Sequence, residues 1–70
     1  MNWFKKRYLL CCAVTDDEGN VVLDESYESF WTRRGAFKEA IEMQTNADRA
    51  QLQYPTESFV RWYVYPVEFP

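Results

Sequence analysis

Apolar and polar positions alternate through the first part of the chain. From residue 3 to residue 15, aromatic, branched and small apolar side chains dominate. The run stops at Asp16-Asp17-Glu18-Gly19-Asn20, which has the composition of a turn. Alternation resumes over residues 21–31, with Val21, Leu23, Tyr27 and Trp31 at period two. Two such runs around a short polar break predict a β-hairpin. A two-residue turn at Glu18-Gly19 pairs Val14 with Leu23, Cys12 with Glu25 and Leu10 with Tyr27. Moving the turn to Gly19-Asn20 keeps the same parity. Either turn gathers Phe4, Tyr8, Leu10, Cys12 and Val14 with Val21, Leu23, Tyr27 and Trp31 on one face. A three-residue loop with a bulge breaks that parity, and the pattern leaves this alternative open. The opposite face sets Lys5, Arg7, Leu9, Cys11 and Ala13 against Asp24, Ser26, Glu28 and Phe30, a solvated face with cross-strand charge pairs.

The period then changes. Ala36, Phe37, Ala40, Ile41 and Gln44 recur at helical spacing, and Thr32 stands where an N-cap belongs. The predicted helix carries a narrow stripe anchored by Phe37 and Ile41, with Glu39 and Glu42 on the other side. Arg33 and Arg34 in its first turn oppose the helix dipole. Thr45-Asn46-Ala47-Asp48 has capping-box spacing, which either restarts a short second helix to about Leu52 or bends the first. Tyr54-Pro55-Thr56-Glu57 reads as a turn, and residues 59–65 as a last strand that is apolar on both faces. One face holds Phe59, Tyr63, Tyr65, Val67 and Phe69, interrupted by Arg61. The other holds Val60, Trp62 and Val64. Pro66 and Pro70 suit an edge position.

The order strand, strand, helix, strand predicts one α+β domain over residues 1–70. A connection through a helix returns the third strand parallel to the second. Placing it beside the first strand gives a three-stranded antiparallel sheet of order 2-1-3, with one helix on the face of Leu10, Val14, Leu23, Tyr27 and Trp31. A ubiquitin-like β-grasp arrangement is the alternative. One helix with a narrow stripe cannot cover the thirteen Phe, Trp and Tyr residues. One face of the last strand must therefore stay open, presenting either Tyr63, Tyr65 and Phe69 or Val60, Trp62 and Val64, together with Trp3. Contiguous exposed aromatics mark binding surfaces.

Composition narrows the function. The chain has no His, which removes His-based acid–base catalysis and Ser-His or Cys-His nucleophile pairs. Two thiols without imidazole cannot complete a structural zinc site. The adjacent Cys11 and Cys12 read as small core hydrophobes of a reducing compartment, so no disulfide is expected. Asp16-Asp17-Glu18-Gly19-Asn20 lacks the spacing of a calcium loop, and Gly19 and Gly35 stand alone, so no phosphate loop exists. The reading is a non-enzymatic protein with no cofactor and no metal. No apolar run is long enough to span a membrane, and the basic start Lys5-Lys6-Arg7 leads into a strand rather than a signal peptide, which makes the protein cytoplasmic.

The net charge is −3, and Asp16, Asp17, Glu18, Asp24, Glu25 and Glu28 all fall on the hairpin. Negative charge opposes phosphate binding, so a single-stranded nucleic-acid-binding sheet using Tyr63, Tyr65, Arg61, Lys5 and Arg7 is the competing reading rather than the first. An acidic hairpin instead meets a basic protein surface. The candidate partner-binding residues are Trp62, Tyr63, Tyr65, Phe69 and Trp3 for affinity, with Asp16, Asp17, Glu18, Asp24 and Glu28 for electrostatic steering.

Phe30-Trp31-Thr32 leading into Ala36-Phe37-Lys38-Glu39-Ala40-Ile41 and a hydrophobic last strand, in a tiny acidic chain, resembles small phage-encoded inhibitors such as RNA polymerase inhibitors and anti-CRISPR proteins. The resemblance is one of format across most of the chain. It implies a stoichiometric inhibitor that occludes a working surface of a larger host protein or nucleoprotein complex, and it transfers no functional residue. A homodimerising structural protein is a further alternative.

Overall fold

A computed structural model describes residues 7–67. Its elements are β1 (Tyr8–Thr15), β2 (Val21–Phe30), α1 (Arg33–Gln53) and β3 (Phe59–Pro66). The strands form one antiparallel sheet of order β2-β1-β3. This is the expected α+β architecture. Trp3 and Phe69, together with Phe4 and Lys5, lie outside the described residues.

The hairpin closes through the three-residue option. Gly19 N–H donates to the Asp16 carbonyl at 3.1 Å, and Asp16 N–H donates to the Asn20 carbonyl at 2.9 Å. Gly19 has φ +87°, a left-handed conformation in which a Cβ is strained. Thr15 therefore faces Val21. A first bulge then inserts Val22, which restores the pairs Val14–Leu23 and Cys12–Glu25. A second bulge between Leu10 and Cys11 inserts Tyr27 and moves the register again. Leu10 consequently faces Glu28 rather than Tyr27, and Tyr8 faces Phe30. The expected faces hold only between the bulges, because each extra residue reverses the inside–outside parity of everything beyond it.

Thr32 caps the helix as expected, with extended backbone (φ −120°, ψ 146°) and Oγ1 accepting from Gly35 N–H at 3.1 Å. A Cβ at Gly35 would sit 3.0 Å from that oxygen, so glycine leaves room for the cap. The helix runs without interruption to Gln53. Thr45 does not restart it: its hydroxyl donates back to the Ile41 carbonyl at 2.8 Å, a bond made inside a continuous helix. Pro55 disfavours helical backbone at Tyr54, and the helix stops there.

The helix lies further toward β3 than the hydrophobic pattern placed it. It packs chiefly along β3, less on β1 and least on β2. Phe37 and Ile41 are exposed, and Leu23, Tyr27 and Trp31 remain exposed because the helix makes little contact with β2. The contact stripe is instead Ala36 (0% exposed) and Ala40, flanked by half-buried Met43, Gln44 and Ala47. Small side chains let the helix backbone approach the sheet. Phe37 sits at the margin beside Tyr8, Val64 and Pro66, with the Arg33 guanidinium 5.4 Å from its ring centre. That cation–π contact gives one of the two dipole-opposing arginines a partner.

The core is accordingly small. Among the described residues, Leu10, Cys11, Cys12, Ala36 and Ala40 are the buried apolar ones. Three of them belong to the middle strand, which has a neighbour on each side.

Candidate protein-binding surface

β3 is engaged at part of its outer edge by the helix. Gln44 Nε2 donates to the Val60 carbonyl at 3.1 Å, while Gln44 Oε1 accepts from Trp62 N–H at 2.8 Å. One side-chain amide thus supplies the donor and acceptor that a neighbouring strand would supply. Gln44 Nε2 also reaches Asp48 Oδ1 at 2.9 Å, which fixes the amide's orientation. Nearby, Gln51 and Thr56 exchange bonds of 2.8 and 3.2 Å that tie the loop before β3 to the helix.

Trp62 lies opposite Cys12, whereas Tyr63 lies opposite Cys11 and Tyr65 opposite Leu9. The aromatic set read from the sequence is therefore divided between the two faces. On one face Trp62 reaches Tyr27 of β2, with ring centres 5.2 Å apart and planes tilted by 51°. On the other the Tyr63 hydroxyl donates to Asp24 Oδ1 of β2. Both pairs cross the middle strand, because β1 lies between β2 and β3. They overlie the positions of Cys12 and Cys11, and burial raises the pKa of both thiols.

The Tyr63 contact alters the reading of two candidate residues. The Asp24 hydrogen bond pushes the Tyr63 phenol well above its ordinary range. Tyr63 and Asp24 are engaged with each other and brace the sheet. Tyr65 is left exposed on the same face.

Asp16 is likewise engaged within the chain. Its carboxylate accepts from the backbone N–H of Asn20 at 2.8 Å and of Glu18 at 3.0 Å, and from Asn20 Nδ2 at 3.3 Å. The Asn20 backbone bond is the main cause that holds this carboxyl below its usual range. Asp16 builds the turn, and Asp17 and Glu18 are exposed at its tip.

An exposed apolar stretch lies on β2. Every residue from Val21 to Glu28 is exposed, including Val22 at 62% and Tyr27 at 57%. The sequence pattern did signal Val21, Leu23 and Tyr27 through their period-two spacing, but expected the helix to cover them. Asp24, Glu25 and Glu28 are interspersed with them. Between Tyr8 and Thr32 there are six carboxylates and neither Lys nor Arg.

No family model matches this sequence, and no curated protein and no solved structure is similar to it.

Among the described residues, no group of three or more His, Cys, Asp or Glu is arranged to hold a metal ion. Among the same residues, no helix is long and apolar enough to cross a membrane. A crevice of about 390 Å³ lies between the later half of α1 and the sheet, lined by Ala13, Thr15, Ala47, Gln51, Phe59 and Arg61. Its amides, Gln44 and Gln51, are already hydrogen-bonded within the chain.

Proposed function

We propose that this chain is a non-enzymatic protein-binding module that inhibits or modulates a larger protein or nucleoprotein complex in the cytoplasm, in the manner of small phage-encoded inhibitors. The observation that carries this reading is β2, exposed at eight consecutive positions and bearing Val21, Val22, Leu23 and Tyr27 among three carboxylates. Apolar and aromatic groups there supply contact area, and Trp62 stands beside Tyr27 to extend it. The carboxylates, with Asp17 and Glu18 at the tip, favour a basic partner and speed encounter. The same charge weighs against nucleic acid as the ligand. Relative to the sequence reading, the proposed binding surface moves from the last strand to the hairpin, with Trp62 retained at its border.

The test is affinity capture of a partner by tagged protein, comparing variants. A Leu23→Ser, Tyr27→Ala double variant with an unchanged circular dichroism spectrum should lose a stoichiometric partner that Gln53→Ala keeps. Equal capture by both would remove the hairpin surface from consideration.

A further inference from the structure

The two edges of the sheet are treated differently. β3 has two of its outward backbone groups, the Val60 carbonyl and the Trp62 N–H, taken by the Gln44 amide. β2 is the other outer strand of the order β2-β1-β3, and no described element pairs with its far side. We infer that this outer edge of β2 accepts an extended basic segment of another protein as a fourth strand.

Three observations fit that occupant. An unpaired strand presents backbone donors and acceptors that a peptide can satisfy by strand addition. Along β2, Asp24 lies on the Tyr63 face, where its Oδ1 accepts from Tyr63 and its Oδ2 is left to meet a cation, and Glu25 lies on the Trp62 face, so Lys or Arg on either side of an incoming strand meets a carboxylate. Leu23 and Tyr27 stay exposed near Glu25, where they contact apolar residues that alternate with the cations.

A second copy of this chain fits poorly. Antiparallel pairing of β2 with itself would bring together the carboxylates of Asp24, Glu25 and Glu28 from both chains with no cation between them. The bulges at Val22 and Tyr27 further restrict edge-to-edge pairing. They leave Leu23–Ser26 as the regular run, so the added strand centres there.

This inference rests on the hairpin being the binding surface, and it can fail separately. The probe is a synthetic octapeptide alternating Val with Lys or Arg. Binding should slow hydrogen exchange of amides within Leu23–Ser26. A peptide with Glu in place of every cation should not bind. A peptide N-methylated at alternate backbone nitrogens keeps its charge and side chains but cannot complete the ladder, and its affinity should drop about tenfold or more. Unchanged affinity after N-methylation, or protection confined to other elements, would overturn strand addition. So would concentration-dependent protection of Leu23–Ser26 in the protein alone, which would identify a second copy as the occupant. If the peptide fails while the Leu23→Ser, Tyr27→Ala variant still loses its captured partner, the binding surface stands and only the strand-addition mode is lost.

Discussion

Gln44 holds the backbone of Trp62 from the helix: its Oε1 accepts the Trp62 N–H at 2.8 Å, at the edge where a fourth strand would otherwise pair. The same amide donates to Val60, so a single side chain both docks α1 and caps β3. Gln44→Ala should therefore lower stability by about 1–2 kcal/mol in urea unfolding, since it leaves two backbone groups without protein partners. It should also increase self-association in sedimentation, because an edge is opened. Full stability and an unchanged sedimentation coefficient would show that the amide is incidental.

The helix approaches the sheet through alanine. Ala36→Leu should destabilise by about 1–3 kcal/mol through overpacking, and Phe37→Ala should cost less than Ala36→Leu. The reverse ranking in thermal or urea unfolding would restore the Phe37–Ile41 stripe suggested by periodicity.

The turn depends on one carboxylate and one left-handed glycine. Gly19→Ala should cost about 1–2 kcal/mol, because an L side chain at φ +87° is strained. The Asp16 pKa is lowered in the folded state, so its contribution is present above its ordinary value of 3.8 and is lost as pH falls. Acid unfolding of Asp16→Asn should lack that component. Identical acid profiles for the two proteins would contradict this role.

Tyr63 gives the opposite dependence. Its pKa is raised by the bond to Asp24, so its contribution is complete below the ordinary value of 10.0 and is lost as pH rises beyond it. In an ultraviolet titration, the phenolate transition at highest pH should disappear in Tyr63→Phe and move down in Asp24→Asn. A titration that leaves the highest transition in place in Tyr63→Phe would assign it to another tyrosine.

Cys11 and Cys12 are buried on opposite faces, and burial raises both pKa values. An aromatic disulfide reagent near pH 8 should modify neither thiol in the native protein and both in urea. Rapid native labelling of either would show that the cross-sheet pair above it does not shield it.

How much of this was legible in the sequence differs from element to element. The order of elements along the chain, the Thr32 cap and the hairpin follow from short-range causes: period-two alternation, an N-cap oxygen three residues before its amide, and turn residues between apolar runs. The pairs Val14–Leu23 and Cys12–Glu25 were also legible, but the pairing beyond Tyr27 was not. A bulge is a single extra residue accommodated by twist, and nothing in the local pattern at Tyr27 marks it.

The candidate surface divides along the same line. Sequence alone determined that the hairpin is acidic and that the aromatic residues exceed what one helix can cover. Tertiary structure decided which residues stay exposed. The rotation and position of α1 depend on Gln44 reaching the β3 backbone and on alanines permitting close approach, and both need the partner surface in place. Once the helix is drawn to β3, Tyr63 braces Asp24, Trp62 leans on Tyr27, and β2 is left open. Hydrophobic periodicity records which side chains favour burial, whereas the edge that receives the helix is set by hydrogen bonds between residues sixteen and eighteen positions apart.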